Sequence, residues 1–326
     1  MGTVRVGVVG AGAFGANHLR VLHELPGVTL AGVVDTDPAR AAEAAAQYEC
    51  PACSDIGELA GRSDAAVVAV PTIAHAEVGC RLLEAGLDVL VEKPIAPDLA
   101  SAGALLAAAE KHGRILQVGH LERFNPAVQA LFRAATIPLF FEIHRMSVFT
   151  PRSLDVDVVL DLMIHDIDIL LSLTKAMPEE IRAAGIRILS QKVDIANVRL
   201  AFANGCIANL TASRVSVERI RKLRLFQPGE YISLDFARQD IARISVSGGE
   251  VGFDSVEVEK KEPLRLELES FVECVRHRSA PVVRGEDAFR ALEVCLSILA
   301  KIEEHGQVVE RTVSDRLATT GPPSSS

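Results

Sequence analysis

An α/β Rossmann dinucleotide-binding domain over residues 1–120, followed by an α+β domain with a large mixed or antiparallel sheet over residues 121–316, is the fold the sequence predicts. Three observations carry this expectation. Val4–Val9 is a β-branched run that ends in Gly10-Ala-Gly12-Ala-Phe-Gly15 and leads into apolar residues at helical spacing, the order strand, glycine turn, helix. Strand-like and helix-like segments then alternate to about residue 120, as a parallel sheet requires. Beyond it the segments lengthen and alternate apolar with polar residues, and Asn204-Gly205 marks a hairpin turn.

The first strand, with Val4, Val6, Val8 and Val9, has the composition of a strand buried on both faces. The glycines permit a tight turn and close approach of backbone to a pyrophosphate, and the helix that follows offers free N–H groups and a partial positive charge. Val28–Val34 reads as the second strand and ends in Asp35, at the distance from the glycines where a carboxylate accepts both ribose hydroxyls of NAD and repels the extra phosphate of NADP. Gly10, Gly12, Gly15 and Asp35 are therefore the first cofactor candidates, and NAD is the expected cofactor.

A helix with Pro38 in its first turn follows Asp37, and Cys50-Pro-Ala-Cys53 falls where a doubly wound fold needs a short third strand. As a metal site that pair lacks two further ligands, so it is expected to be core cysteine. Asp55–Ala60 reads as a short helix, Asp64–Val70 as a buried strand, and Ala74–Glu84 as a helix closed by Gly86. Asp88–Val91 is the expected fifth strand, running into Glu92-Lys93-Pro94. Asp98 caps the next helix, Gly113 ends it, and Ile115–Val118 is the expected sixth strand.

After a helix near Pro126–Ala135, the second domain reads as strands over Leu139–Phe149, Ile181–Leu189, Val193–Phe202, Cys206–Val215, Ile220–Phe226, Tyr231–Phe236 and Ile241–Val246. One helix, Leu160–Leu173, interrupts them, and helices over Leu264–Arg276 and Glu286–Glu304 are expected to close the same domain. The tail 317–326 is expected to be disordered. With helices on one face of this sheet, the other face needs a cover, and a homodimer or homotetramer through the C-terminal sheet supplies it.

At 326 residues, 49% hydrophobic and 24% charged, the chain is long enough for two ordinary cores. Its net charge of −9 argues against nucleic acid or an anionic membrane as a partner, while leaving room for a small anionic substrate held by arginines. No apolar run approaches the roughly 18 residues that a membrane span needs. The N-terminal apolar run is the first strand, not a signal peptide. Six cysteines without a secretory framework suit a reducing cytoplasm.

In an open parallel sheet the ligand crevice lies outside the carboxyl ends of the strands. Pro71-Thr72 with His75, and Glu92-Lys93-Pro94, both sit at such ends and are candidates to flank a nicotinamide. A lysine ending a buried strand must have its charge solvated or paired, so Lys93 is either a functional group or a surface residue just past the strand. Asp161 and His165 are four residues apart and share a helix face. A histidine is the usual proton acceptor near neutral pH, and a carboxylate one turn away orients it. The pair could equally be structural, or two ligands of a metal. No further His or Cys lies close enough in sequence to complete a metal site, so none is expected.

Taken together, Gly10–Gly15, Val33–Arg40, Pro71…His75, Glu92-Lys93-Pro94 and Asp161…His165 resemble the glucose-fructose oxidoreductase / inositol dehydrogenase / rhizopine-catabolism (Gfo/Idh/MocA) family over almost the full chain. The resemblance implies Lys93 and His165 as the catalytic pair with Asp161 assisting, Arg40 near the adenine, and Ala13 and Phe14 as backbone donors to the pyrophosphate. Many members carry Gly-Gly before the catalytic Asp, whereas this chain has Asp155-Val-Asp-Val-Val-Leu160. That variant, with Gly119–Ala127 upstream, is similar to the UDP-N-acetylglucosamine 3-dehydrogenase subgroup, which implies oxidation of the sugar 3-hydroxyl. A UDP-sugar needs cationic donors, for which Arg123 with Asn125 and Arg145 with Arg152 are candidates beside the alternative of a solvated surface. The basic run Arg214, Arg219, Arg221, Lys222 and Arg224 reads instead as a subunit contact or solvated face. Rival readings are a dehydrogenase of a free sugar or polyol and a non-catalytic NAD-binding regulator.

Overall fold

The computed structural model describes residues 2–149, 156–247 and 250–320. In chain order its elements begin β1 (Val4–Val9), α1 (Ala13–Glu24), β2 (Val28–Val34), α2 (Pro38–Gln47), α3 (Ile56–Ala60), β3 (Ala65–Val68), α4 (His75–Glu84) and β4 (Asp88–Glu92). They continue α5 (Leu99–His112), β5 (Leu116–Gly119), α6 (Pro126–Ala134), β6 (Phe140–Val148), α7 (Ile164–Thr174), β7 (Pro178–Ile186), β8 (Ile195–Phe202) and β9 (Ile207–Ser216). The last are β10 (Ile220–Gln227), β11 (Glu230–Asp235), β12 (Asp240–Ser247), β13 (Glu250–Val256), α8 (Pro263–His277) and α9 (Gly285–Thr320). The chain divides into two compact units, Met1–Ala130 with Val258–Leu292, and Leu131–Glu257 with Glu293–Ser326.

The first unit holds a parallel sheet of order β2-β1-β3-β4-β5. Its central strand β3, Ala-Ala-Val-Val, has no exposed surface, as a strand covered on both faces must be. The helices start and stop where local chemistry dictates. Asp37, Asp55 and Asp98 each accept amide N–H groups from the first turn of α2, α3 and α5, while Gly86 and Gly113 take the positive φ that ends α4 and α5.

The expected strand at Cys50–Cys53 is reduced to a single parallel bridge, Val33 to Ala52, so the described sheet has five strands rather than six. Pro51 has no N–H to give a ladder, and the segment is tied to β2 by Val33 N–H on the Pro51 carbonyl at 2.9 Å and Cys53 N–H on the Val33 carbonyl at 2.8 Å. Helix α8 corrects a second expectation. It covers the parallel sheet rather than closing the second domain, with Leu268, Phe271, Val272 and Cys274 buried among Val4, Val6, Leu19 and Leu22.

The second unit is built on an eight-stranded sheet of order β13-β12-β11-β10-β6-β9-β8-β7. β6 and β9 pair in parallel and the other neighbours are antiparallel, which is the mixed sheet expected. Alternate residues such as Phe141, Ile143, Val198, Leu200, Leu210, Leu223, Leu225, Ile232 and Leu234 are buried, the two-residue period of a sheet with one covered face. Strand β13 escaped the sequence reading because its residues are mostly exposed and lack that alternation. The helix expected over Leu160–Leu173 begins as a π-helical turn, Val159–Met163, and becomes α7 from Ile164. Helix α9 runs to Thr320, so residues 317–320 of the expected tail are helical and residues 321–326 lie outside the described residues.

Candidate active site

Gly10, which follows β1, has φ +96°, and a Cβ there would lie 2.5 Å from the Ala69 carbonyl oxygen. A Cβ on Gly15 would lie 1.8 Å from the Gly10 carbonyl oxygen, so no larger residue fits the turn. Gly12, by contrast, has nothing within 4 Å of the position its Cβ would take, and it opens α1 without a capping side chain. The amides at the start of α1, including those of Ala13 and Phe14, have no carbonyl behind them within the helix. An open, donor-rich helix terminus reached by side-chain-free backbone fits a pyrophosphate.

Asp35 ties this turn to the end of β2. Its carboxylate accepts the Ala11 amide at 2.7 Å and the Asp37 amide at 2.9 Å, with the Arg40 guanidinium at 3.4 Å. Burial works to raise the Asp35 carboxyl, but those amides and the Arg40 charge outweigh it and hold the group below its ordinary value. Asp35 thus stays ionised next to the glycine turn.

A second cluster sits at the ends of β3 and β4. The His75 ring is buried, with Nδ1 2.9 Å from the Pro94 carbonyl oxygen and Nε2 2.9 Å from the Val70 carbonyl oxygen. Burial pushes His75 below its ordinary value. Held between these two carbonyls, to one of which a neutral ring donates, His75 braces the two strand-end loops. Pro71 and Thr72 lie beside it at the surface, and Ile73 between them and His75 is 82% exposed. Glu92 receives His18 Nε2 at 2.7 Å on one carboxylate oxygen and the Lys93 amide at 3.2 Å on the other. The sequence reading missed His18. The signal was available, because it shares the buried face of α1 with Gly15, Leu19 and Leu22.

In the second unit, Asp161 falls within the π-helical turn and His165 is the second residue of α7, both half-buried. The wider π turn replaces the regular α spacing expected between them, a local irregularity often found at functional positions. The segment is fixed by its next residue. Asp166, 1% exposed, takes the Arg145 guanidinium through Nε at 3.0 Å and Nη2 at 2.7 Å, and Arg145 stacks 4.6 Å from the Phe236 ring centroid.

That pairing corrects the expectation that Arg145 binds substrate, since its guanidinium is buried and committed to Asp166. The two-residue period could have shown this, because Arg145 shares the inward face of β6 with Phe141 and Ile143. Asn125 is likewise structural. It is 2% exposed, its Oδ1 accepts the Ala127 amide at 3.1 Å, and its Nδ2 donates to Glu122 at 3.1 Å. Arg123 is half-buried and donates to the Val282 carbonyl at 3.1 Å. Arg152 lies outside the described residues, as does Asp155 of the variant segment.

The basic run also divides. Arg214 is buried against the Val156 and Val193 carbonyls and lies 3.6 Å from Asp194. Arg219, Arg221, Lys222 and Arg224 instead line a cavity of about 450 Å³ with Glu142, His144, Asp235 and Arg238. That cavity includes neither Asp161 nor His165. All six cysteines are free, and no group of three or more His, Cys, Asp or Glu suited to a metal ion occurs among the described residues.

Comparison with known proteins follows the same two units. A model of an oxidoreductase family with an NAD-binding Rossmann fold matches residues 4–120, and a model of the GFO/IDH/MocA C-terminal domain matches residues 132–226. The chain is 35% identical over 307 residues to UDP-N-acetylglucosamine 3-dehydrogenase of Acidithiobacillus ferrooxidans, covering 92% of this chain and 97% of that protein. A solved structure of that enzyme matches with a TM-score of 0.89 over 94% of this chain and 99% of its own. Scyllo-inositol 2-dehydrogenase (NAD(+)) of Bacillus subtilis is 28% identical over 89% of this chain and 92% of its own.

Proposed function

Because the chain belongs to the GFO/IDH/MocA family of NAD-binding oxidoreductases, we propose that it oxidises the 3-hydroxyl of a UDP-N-acetylhexosamine, with UDP-N-acetylglucosamine as first substrate. The observation that carries this is the 35% identity to a UDP-N-acetylglucosamine 3-dehydrogenase along 92% of the chain. NAD, when bound, supplies the acceptor for a hydride. Gly10, Gly12, Gly15 and the Ala13 and Phe14 amides would hold its pyrophosphate, Asp35 its ribose, and Arg40 its adenine end. Pro71, Thr72, Glu92 and Lys93 would border the reactive end.

The chain's own groups then handle the alcohol. His165 accepts the hydroxyl proton, a role worth on the order of 10²–10⁴ in rate. Asp161 orients that imidazole and stabilises its charged form. Lys93 donates a hydrogen bond from its ammonium to the same oxygen and stabilises the negative charge that develops there. Of the four polar groups proposed for the sugar nucleotide, Arg123 is the described one whose side chain is not wholly buried.

The test is direct. UDP-N-acetylglucosamine with NAD should yield NADH absorbance and a product two hydrogens lighter by mass spectrometry. Turnover of inositol with none on the nucleotide sugar would reject this substrate in favour of a polyol. We also infer a homo-oligomer through the C-terminal sheet, supported by the exposed Phe226, Val246, Val251 and Phe253 on its strands. Sedimentation giving a monomer would reject that. No helix is long and apolar enough to cross a membrane among the described residues, and six free thiols favour a reducing cytoplasm.

A further inference from the structure

The reaction above gives His18 no part, although its surroundings suit a core leucine better than a histidine. The ring is 1% exposed, on the face of α1 that also buries Leu19, Val21 and Leu22. Its Nδ1 is buried without a hydrogen-bond partner among the described residues, a cost that an apolar side chain would avoid. What the ring does make is a bond from Nε2 to Glu92 Oε1 at 2.7 Å. The other oxygen of the same carboxylate, Oε2, takes the Lys93 amide at 3.2 Å. Glu92 comes this close to β5 because Gly119, its partner across the ladder, carries no side chain: a Cβ there would sit 3.2 Å from Glu92 Oε2.

We propose that His18 is a positioning residue for the reaction: through its bond to Glu92 it fixes the Lys93 backbone at the end of β4, and so sets where the Lys93 ammonium meets the substrate oxygen. A carboxylate can only accept, and an imidazole is the stronger base, so the proton in the bond sits on Nε2. The terminal torsion of a glutamate is soft, and only its bonds decide which way the carboxylate faces. Of the two here, the Lys93 amide bond is at the long end of the usual range and is the weaker. Held by His18 on one oxygen, Glu92 keeps the other turned to that amide. Without His18 it is free to rotate away. Burial works to raise the Glu92 carboxyl, but the His18 bond and charge, with Lys93, outweigh it and hold the group below its ordinary value, as suits an acceptor on both oxygens.

The tether starts from the cofactor's own helix. Ala13 and Phe14, whose amides would hold the pyrophosphate, open α1, and His18 stands on the same helix little more than one turn further along. A rigid helix therefore sets the cofactor seat and the lysine turn relative to one another, rather than each on its own loop. On the far side of Lys93, the Pro94 carbonyl oxygen lies 2.9 Å from His75 Nδ1, so the turn is braced before and after the lysine.

This role rests on Lys93 acting as the oxyanion donor, so one arm of the test needs no turnover. In the full-length, NAD-free protein, His18→Leu should speed hydrogen exchange of the Lys93 amide by about tenfold or more, with the amides of β3 unchanged. His18→Gln, which keeps an N–H donor near the place of Nε2, should return that amide toward the parent rate. His18→Asn, polar but too short to reach Glu92, should behave as His18→Leu does, so the result does not hang on one variant folding. Mass spectrometry with fragmentation that resolves single amides reads all three. No acceleration, equal acceleration with Gln and Leu, or acceleration shared by the β3 amides overturns the tether. The second arm is kinetic. His18→Leu should lower kcat on the nucleotide sugar by about tenfold or more, because small misplacements at a reacting centre are costly. His18→Gln should restore most of it, with KM for NAD within about threefold in both. Equal loss in the two variants, or a change confined to KM for NAD, overturns the positioning role. If no sugar turns over in the parent protein, the substrate assignment fails while the exchange rates still decide the tether.

Discussion

Lys93 leaves the carboxyl end of β4 with its backbone amide held by Glu92, and Glu92 is held in turn by His18. Replacing it with a residue of similar length but no charge, Lys93→Met, should lower kcat by about 10²–10³-fold while KM for NAD stays within a few-fold. Steady-state kinetics on UDP-N-acetylglucosamine check this, and an unaltered kcat rejects Lys93 as the donor. The residue was legible because a charge at the end of an apolar run needs a reason. Arg145 and Asn125 were misread because a lone polar letter does not show its partner. Asp166, which claims Arg145, becomes its neighbour only through the fold, and the Ala127 amide that Asn125 accepts lies two residues on, where the letters alone do not show the bond.

Elements show the same division between local and distant causes. The sequence reading carried the strand at Ile181 on to Leu189, yet β7 stops at Ile186. Asp194, buried at the far side of the turn, captures the Ile188 and Leu189 amides at 2.7 Å, the Ser190 amide at 3.0 Å and the Ser190 hydroxyl at 2.7 Å. Amides bound to a carboxylate cannot join a ladder, and hydropathy carries no trace of that competition. Burial works to raise Asp194, but the Ser190 hydroxyl and three amides pull it from 3.8 down to about 2. Its contribution, about 2 kcal/mol, is therefore fully present above pH 3.8 and lost as pH falls through about 2. Asp194→Ala should cost about that much in urea unfolding at pH 7, and the gap to the parent should shrink as the pH is lowered from 4 to 2. A gap independent of pH would reject the carboxylate clamp. The caps at Asp37, Asp55 and Asp98 were legible because each acts within its own turn.

At the scale of the whole molecule, hydropathy patterning announced helix α8 but not the sheet it covers. An apolar stripe states that a face is buried, not against what, and the choice of the parallel sheet depends on Phe271, Leu268 and Val272 meeting Val4, Val6 and Leu19. Residues 1–130 produced alone should lack cooperative thermal unfolding, and the same residues joined by a flexible linker to 258–292 should regain it and bind NAD by calorimetry. Equal behaviour of the two fragments would show that α8 adds nothing to that core. Synthesis runs from the N-terminal side, so residues 1–130 are made well before residues 258–292, which complete their unit. Until α8 is made, the surface of Val4, Val6, Leu19 and Leu22 that it buries stays open while the whole eight-stranded sheet is synthesised, an interval of exposed apolar surface of the kind that invites aggregation.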